Sequence, residues 1–305
     1  MLFILALLCI FLLGYLAQTT GLCMVRGVKE ATKGSPMFIV SIVFSGSLAW
    51  VSMGLGSVVE GRQLSIAFWP SLFSLLGGLL FGIGAAINSG CGVSTVSRLA
   101  RGEVVMLATI FGWFVAWLVF APVLPSELKG SRLVLSDFSR YIFLGSISLT
   151  IVVSCYFMNS VNRKLWFSML GIGLMAGFVF LYEPHWTPSG LLKSVGTSIW
   201  HGRTEDWPSS ERFILMASLL VGMISAALFT GSFSLRFSPI RRFGKHLIAG
   251  VLMGFGAVMA GGGNDTQLLV AMPVLSLAGV FSVLSIIVGI YLGTLVLPSL
   301  HTKPN

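Results

Sequence analysis

The sequence predicts an all-α integral membrane protein with about nine transmembrane helices, four short broken or re-entrant helices between them, and an inverted internal repeat. Three observations lead there. The chain is too apolar for water, its apolar residues fall into spans of membrane length, and one order of long and interrupted segments occurs twice.

Of the 305 residues, 55% are hydrophobic and only 10% are charged, with a mean hydropathy of +0.94. An ordinary soluble domain carries about 25% charged residues. Helices around a soluble core would still need polar residues on their outer faces. Most spans here carry none over roughly 18 to 20 positions, the length that crosses the hydrocarbon layer.

The first span, 2–18, has no basic leader and no small-residue cleavage site, so it reads as a retained helix. A broken segment follows at 19–34, then spans at 37–57 and 67–87, a second broken segment at 88–102 and a span at 104–123. A lone span at 140–158 joins this half, 2–123, to a second half, 165–298. There the order recurs: a span at 165–182, a broken segment at 185–201, spans at 212–231 and 246–261, a broken segment at 262–274, and a last span at 277–298. The whole chain, 1–305, is one polytopic domain on this reading.

The broken segments are rich in Gly, Ser, Thr or Asn and carry a few charges. Irregular backbone at membrane depth persists only where it is buried in protein or lines a cavity. Four of them therefore imply a protein-lined passage near the midplane. Because they do not cross, the joining span starts the second half on the opposite side, giving the inverted repeat of many secondary transporters. Two sequence echoes agree: TTGLCMVRG at 19–27 with TPSGLLKSVG at 187–196, and FGIGAAINSGCGVST at 81–95 with FGAVMAGGGNDTQ at 255–267.

A net charge of +9 and a pI of about 9.8 might suggest nucleic acid. The cations sit instead in short clusters between spans, as membrane orientation requires. Alternating the connections gives one side Arg26, Lys29, Lys33, Arg98, Arg101, Arg163, Lys164, Arg236, Arg241, Arg242, Lys245 and Lys303. The other receives Arg62, Lys129, Arg132, Arg140, Lys193, Arg203 and Arg212. The richer side is expected to be cytoplasmic, with the N-terminus outside and the C-terminus inside a cell (inner) membrane.

Cys23 and Cys91 each lie in a broken segment beside Gly, where a missing side chain lets a solute or another backbone come close. A thiol there can touch a passing solute or simply fill a small buried space. Cys9 and Cys155 lie within plain spans and read as packing residues. Arg98 and Arg101 end a short helix, where they either snorkel to the interface or draw an anion to the pore mouth. Asn264 and Asp265 sit at the tip of the last broken segment, where an ionisable group is a functional candidate and an N-cap of the following short helix is the structural alternative. No CxxC, HExxH, GxSxG or Walker pattern occurs, so neither an enzyme, a metal, a cofactor nor ATP is expected.

The stretches TTGLCMVRGVKEA, NSGCGVSTVSRLARGE and GFGAVMAGGGNDTQLL together resemble the YeeE/YedE family of sulfur-compound permeases along nearly the whole chain. The resemblance implies an hourglass-shaped importer of thiosulfate in which pore cysteines hand the anion along, Cys23 and Cys91 matching two of them. A thiol is a weak donor with a soft sulfur, suited to the terminal sulfur of thiosulfate. Where those importers carry a further Cys in a glycine-rich loop, this chain reads GGGNDTQ, so another sulfur or selenium species is an open alternative. The expected partners are the bilayer and a small anionic solute, with a cytoplasmic sulfur-accepting protein in a second reading where the thiols act as covalent acceptors.

Overall fold

The computed structural model describes residues 2–60, 66–123, 130–134, 136–202 and 207–296. Arg62, Lys129, Arg203 and Lys303, used above to weigh orientation, lie outside the described residues, as does the end of the last span. In order come α1 (Leu2–Thr20), α2 (Met24–Ala31), α3 (Met37–Val43), α4 (Ala49–Glu60), β1 (Ala67–Phe68), α5 (Leu72–Asn88), α6 (Gly92–Ala100) and α7 (Met106–Phe120). Then follow β2 (Arg132–Leu133), α8 (Asp137–Tyr156), α9 (Ser160–Tyr182), α10 (Pro188–His201), α11 (Ser210–Phe229), α12 (Ile240–Ala260), the short turn α13 (Asn264–Thr266) and α14 (Leu277–Val296).

Among the described residues, seven helical stretches are long and apolar enough to cross a membrane, and shorter apolar ones run over Met37–Ser52 and Met106–Phe120. Every predicted broken segment contains a short helix. The span predicted at 37–57 is itself interrupted, because a 3-10 turn at Ser45–Leu48 separates α3 from α4. Large apolar side chains such as Leu149, Phe229 and Ile248 stay exposed on the outer faces, as lipid permits.

Local chemistry sets the breaks. α1, α5 and α12 each end on a left-handed residue, Gly21, Ser89 and Gly261. The next amide returns five residues back: Leu22 to Ala17, Gly90 to Ala85 and Gly262 to Ala257. This termination satisfies late carbonyls and turns the chain sharply. α10 starts differently, with Thr187 capping the Gly190 amide at 3.1 Å and Pro188 in the first turn.

Helix packing relies on small residues, as membrane interfaces do. α5 lies against α12 and α14, and α12 also lies against α7; α1 lies against α9 and α11, and α9 also lies against α4. α2 meets α14, and α10 meets α7. Gly78 and Gly82 of α5 face the carbonyls of Ser282 and Ile286, while Gly250 and Gly254 of α12 face those of Thr109 and Trp113. A Cβ at any of the four would enter the neighbouring backbone. β1 pairs antiparallel with β2, and at the opposite end of α7 Glu103 bridges to Arg236.

Candidate functional site

The short helices converge, and their first residues form the site. Cys23 is the N-cap of α2 and Cys91 the N-cap of α6. The structure brings the two thiols into contact. The arrangement is reciprocal: the amides of Arg26 and Cys91 face the Cys23 sulfur, and those of Ser94 and Met24 face the Cys91 sulfur. Ser94 also turns its hydroxyl to Cys91, 3.6 Å from the sulfur and 3.0 Å from the carbonyl oxygen. Cys91 is fully buried and Cys23 partly exposed. Two helix starts thus aim backbone donors at two polarizable sulfurs, a setting that suits a soft, negatively charged group.

The second half builds the same turn from different side chains. Cys91 has φ −77° and ψ −178°, and Gly263, the N-cap of α13, has φ −75° and ψ −177°. Each lies two residues after the left-handed end of a long helix, Ser89 and Gly261. Gly263 thus repeats the local backbone of Cys91, whereas Thr187, the N-cap of α10, has φ −62° and ψ 148° against −155° and 114° at Cys23. Hydroxyls cluster here: Thr187 Oγ1 lies 2.9 Å from Thr266 Oγ1, which lies 2.8 Å from Ser189 Oγ.

Asn264 and Asp265 are both buried, and each caps a neighbouring helix rather than its own. Asn264 Oδ1 accepts from the first amide of α6, Gly92 N, at 3.1 Å. Asp265 Oδ2 accepts from Ser189 N of α10 at 2.9 Å, and Oδ1 accepts from Ser189 Oγ at 2.7 Å. The expectation of a cap was right in chemistry and wrong in partner, because the N-cap of their own helix is Gly263, which has no side chain to bond with.

Arg98 stands apart from the thiols. Its guanidinium pairs with Glu103 at 2.7 Å and donates to the Asn88 carbonyl at 3.1 Å. It lines a cavity of about 500 Å³ together with Glu103, Arg236, Arg242, Ser238 and His246. Asn88 ties that cavity to the α5 break. Its amide donates to Gly90 O at 3.0 Å and Thr95 Oγ1 at 2.8 Å, so its Oδ1 accepts from Thr109 at 2.8 Å and from His246 Nδ1 at 2.7 Å. Arg101 adjoins this end, and Cys9 and Cys155 are buried in separate apolar clusters. At the start of α10, Arg212 donates to His185 O at 2.7 Å and lies 3.8 Å from Glu183. Burial pushes the Glu183 carboxyl up, but hydrogen bonds from His185 and the Arg212 charge outweigh it and hold it below the ordinary glutamate value.

Reasoning from sequence missed Ser94, Asn88, Trp113, Thr187, Ser189 and His246. Asn88 and Ser94 sit inside the cysteine motif and Thr187 at a Thr-Pro helix start, signals that spacing offered; Trp113 and His246 lie in plain spans and gave none.

The model of the sulphur-transport family matches residues 157–292, the joining span's end and most of the second half. The thiosulfate transporter TsuA of Escherichia coli (strain K12) is 22% identical over 325 aligned residues, covering 93% of this chain and 92% of that protein. The protein of the same name from Spirochaeta thermophila is 23% identical over 314, covering 92% and 94%. The cysteine-bearing helix starts of the first half and the family match in the second meet in one chain, which is similar along most of its length to membrane proteins named as thiosulfate transporters.

Proposed function

We propose that the protein imports a small sulfur-containing anion, thiosulfate or a close relative, through a constriction lined by Cys23 and Cys91. The observation that carries this reading is the contact of those two thiols at the starts of two short helices, amid inward-facing amides. Both relatives are named thiosulfate transporters and align along more than nine-tenths of the chain, which supports the same class of solute. In this scheme the thiols touch the sulfur end of the solute. Arg98, with Arg236 and Arg242, attracts the anion out of the constriction into the adjoining cavity at the end read as cytoplasmic. Asn264 and Asp265 shape the second constriction by fixing the starts of α6 and α10.

The architecture proposed is an hourglass of nine crossings, with halves 2–123 and 165–298 related by inversion and α8 joining them. Exchanging α1, α2, α4, α5, α6 and α7 for α9, α10, α11, α12, α13 and α14 turns the packing pairs into one another, α5–α14 becoming α12–α7 and α1–α11 becoming α9–α4. The paired glycine contacts of α5 and α12 support the same relation. The cation-rich end that holds the Arg98 cavity supports an N-terminus outside and a C-terminus inside, and the membrane proposed is a cell (inner) membrane.

Uptake of radiolabelled thiosulfate by cells lacking their own importers tests the reading, with Cys91→Ala and Cys23→Ala compared at equal protein level. Uptake by the intact protein and its loss in Cys91→Ala is the expected result; uptake unchanged in both variants removes the thiols from the path. A second reading, transfer of sulfur to a cytoplasmic acceptor, draws on the wide basic cavity at that end and requires a persulfide on Cys91 in membranes given a sulfur donor.

A further inference from the structure

Gly263 holds the place that Cys91 holds in the other half, yet it has no room for a thiol. A Cβ there would lie 2.7 Å from Trp113 Cζ2 and 2.7 Å from Asp265 Oδ1. A Cβ on Gly92 would lie 2.6 Å from Trp113 Cη2 and 2.9 Å from Asn264 Oδ1. The benzo edge of Trp113, on α7, is thus wedged between the starts of α6 and α13. By the glycine contacts its counterpart in the second half is Ile286, since Gly254 meets the Trp113 carbonyl as Gly82 meets that of Ile286. The repeat itself therefore does not call for an indole at this position.

Two donors at this junction have no acceptor among the described residues: Trp113 Nε1 and Asn264 Nδ2. Both side chains are buried, Asn264 at 0% and Trp113 at 2% exposure. The Asn264 amide cannot rotate to relieve this, because its Oδ1 is held by the Gly92 amide. Cζ2 of Trp113, beside the carbon that bears Nε1, is the atom against Gly263, so the indole N–H lies on the side of that start. A buried donor without an acceptor is costly, and such groups in a native protein call for an explanation. Here two of them meet the starts of α6 and α13, beside Gly92, the residue after Cys91.

We propose that the donors Trp113 Nε1–H and Asn264 Nδ2–H bind the oxygen end of a sulfur oxyanion while the Cys23–Cys91 pair binds its sulfur end. This rests on the import reading above. The half of the pathway without a thiol then recognises oxygen by neutral N–H groups, and the two stations together select an anion carrying both kinds of atom.

The test uses the purified full-length chain in proteoliposomes, with radiolabelled thiosulfate uptake measured for the wild type, Trp113→Phe and Asn264→Asp. Trp113→Phe keeps a ring against both glycines and removes the N–H. Asn264→Asp keeps the acceptor for Gly92 and replaces the donors with an oxygen. Trp113→Phe is expected to raise the half-saturating concentration about tenfold with little change in maximal rate, and Asn264→Asp to raise it further. Thermal unfolding in detergent, with and without thiosulfate, sulfite or sulfate, is the second readout: the free melting point of Trp113→Phe stays, and its shift with thiosulfate shrinks. A wild type that binds and moves thiosulfate while Trp113→Phe does so at the same concentration overturns the subsite alone. A wild type unmoved by any of these anions overturns the import reading and the subsite with it.

Discussion

Removing the clasp between Asp265 and Ser189 should weaken the protein by more than either side chain's own loss suggests. The two residues share one buried bond at 2.7 Å from Ser189 Oγ to Asp265 Oδ1, and the backbone N–H of Ser189 adds a second at 2.9 Å that survives Ser189→Ala. Hydrogen bonds to charged groups contribute about 1.5–3 kcal/mol net. Ser189→Ala deletes the Oγ bond to Asp265 together with the Ser189 Oγ contacts to Thr266 Oγ1 at 2.8 Å and from the Gly263 amide at 3.3 Å, for a cost of about 2 kcal/mol or more. Asp265→Ala deletes both and leaves two buried donors without acceptors, for a cost of about 4 kcal/mol. In the double variant the hydroxyl is no longer present to be stranded, so the costs fall short of their sum by about 2 kcal/mol, the coupling energy of the pair. Reversible unfolding in mixed micelles, followed by helical circular dichroism for all four proteins, measures this cycle. A coupling within about 0.5 kcal/mol of zero, the spread expected of independent sites, would refute the assigned bond.

Two further outcomes follow from the packing and charges. Gly254→Leu forces a side chain into the Trp113 carbonyl and the Ala116 methyl, and should cost about 3 kcal/mol or prevent folding, whereas Gly244→Leu, whose Cβ direction is open, should be near neutral in the same assay. Glu183 has its folded value below its unfolded one, so its contribution to stability is complete above the unfolded value of about 4.3 and is lost as pH falls through the folded value. Glu183→Gln should therefore flatten the acid side of the stability curve without changing it at neutral pH relative to pH 6, and an acid limb identical to that of the wild type would show that this carboxyl does not contribute.

The spans were legible because hydrocarbon imposes one condition, about twenty apolar residues, that composition alone reveals. The break at Ser45–Leu48 was not, since the run 37–57 stays apolar through it and the cause is tertiary: Gly173 of α9 packs against the Ser45 backbone. Cys23 and Cys91 were legible as candidates because each stood beside Gly in an interrupted segment, but their contact joins residues far apart in the chain, which no local pattern encodes. Asn264 and Asp265 were legible as a functional candidate or a cap of the helix that follows them, but their bonds to α6 and α10 depend on where those helices arrive. Trp113 was invisible in the apolar run of α7, because an indole reads as core until its N–H is found without a partner.

Asn264 and Asp265 are joined by one peptide bond and hold helices that come from different halves of the chain, α6 and α10. Hydrogen bonds weaken steeply over fractions of an ångström, so a shift of this turn by the width of one atom would release both helices at once. The hinge of any opening motion must then lie outside the clasp, in the long helices or their outer connections. The centre of the molecule behaves as a keystone: the halves can lean on it from either side, but neither can move it without the other.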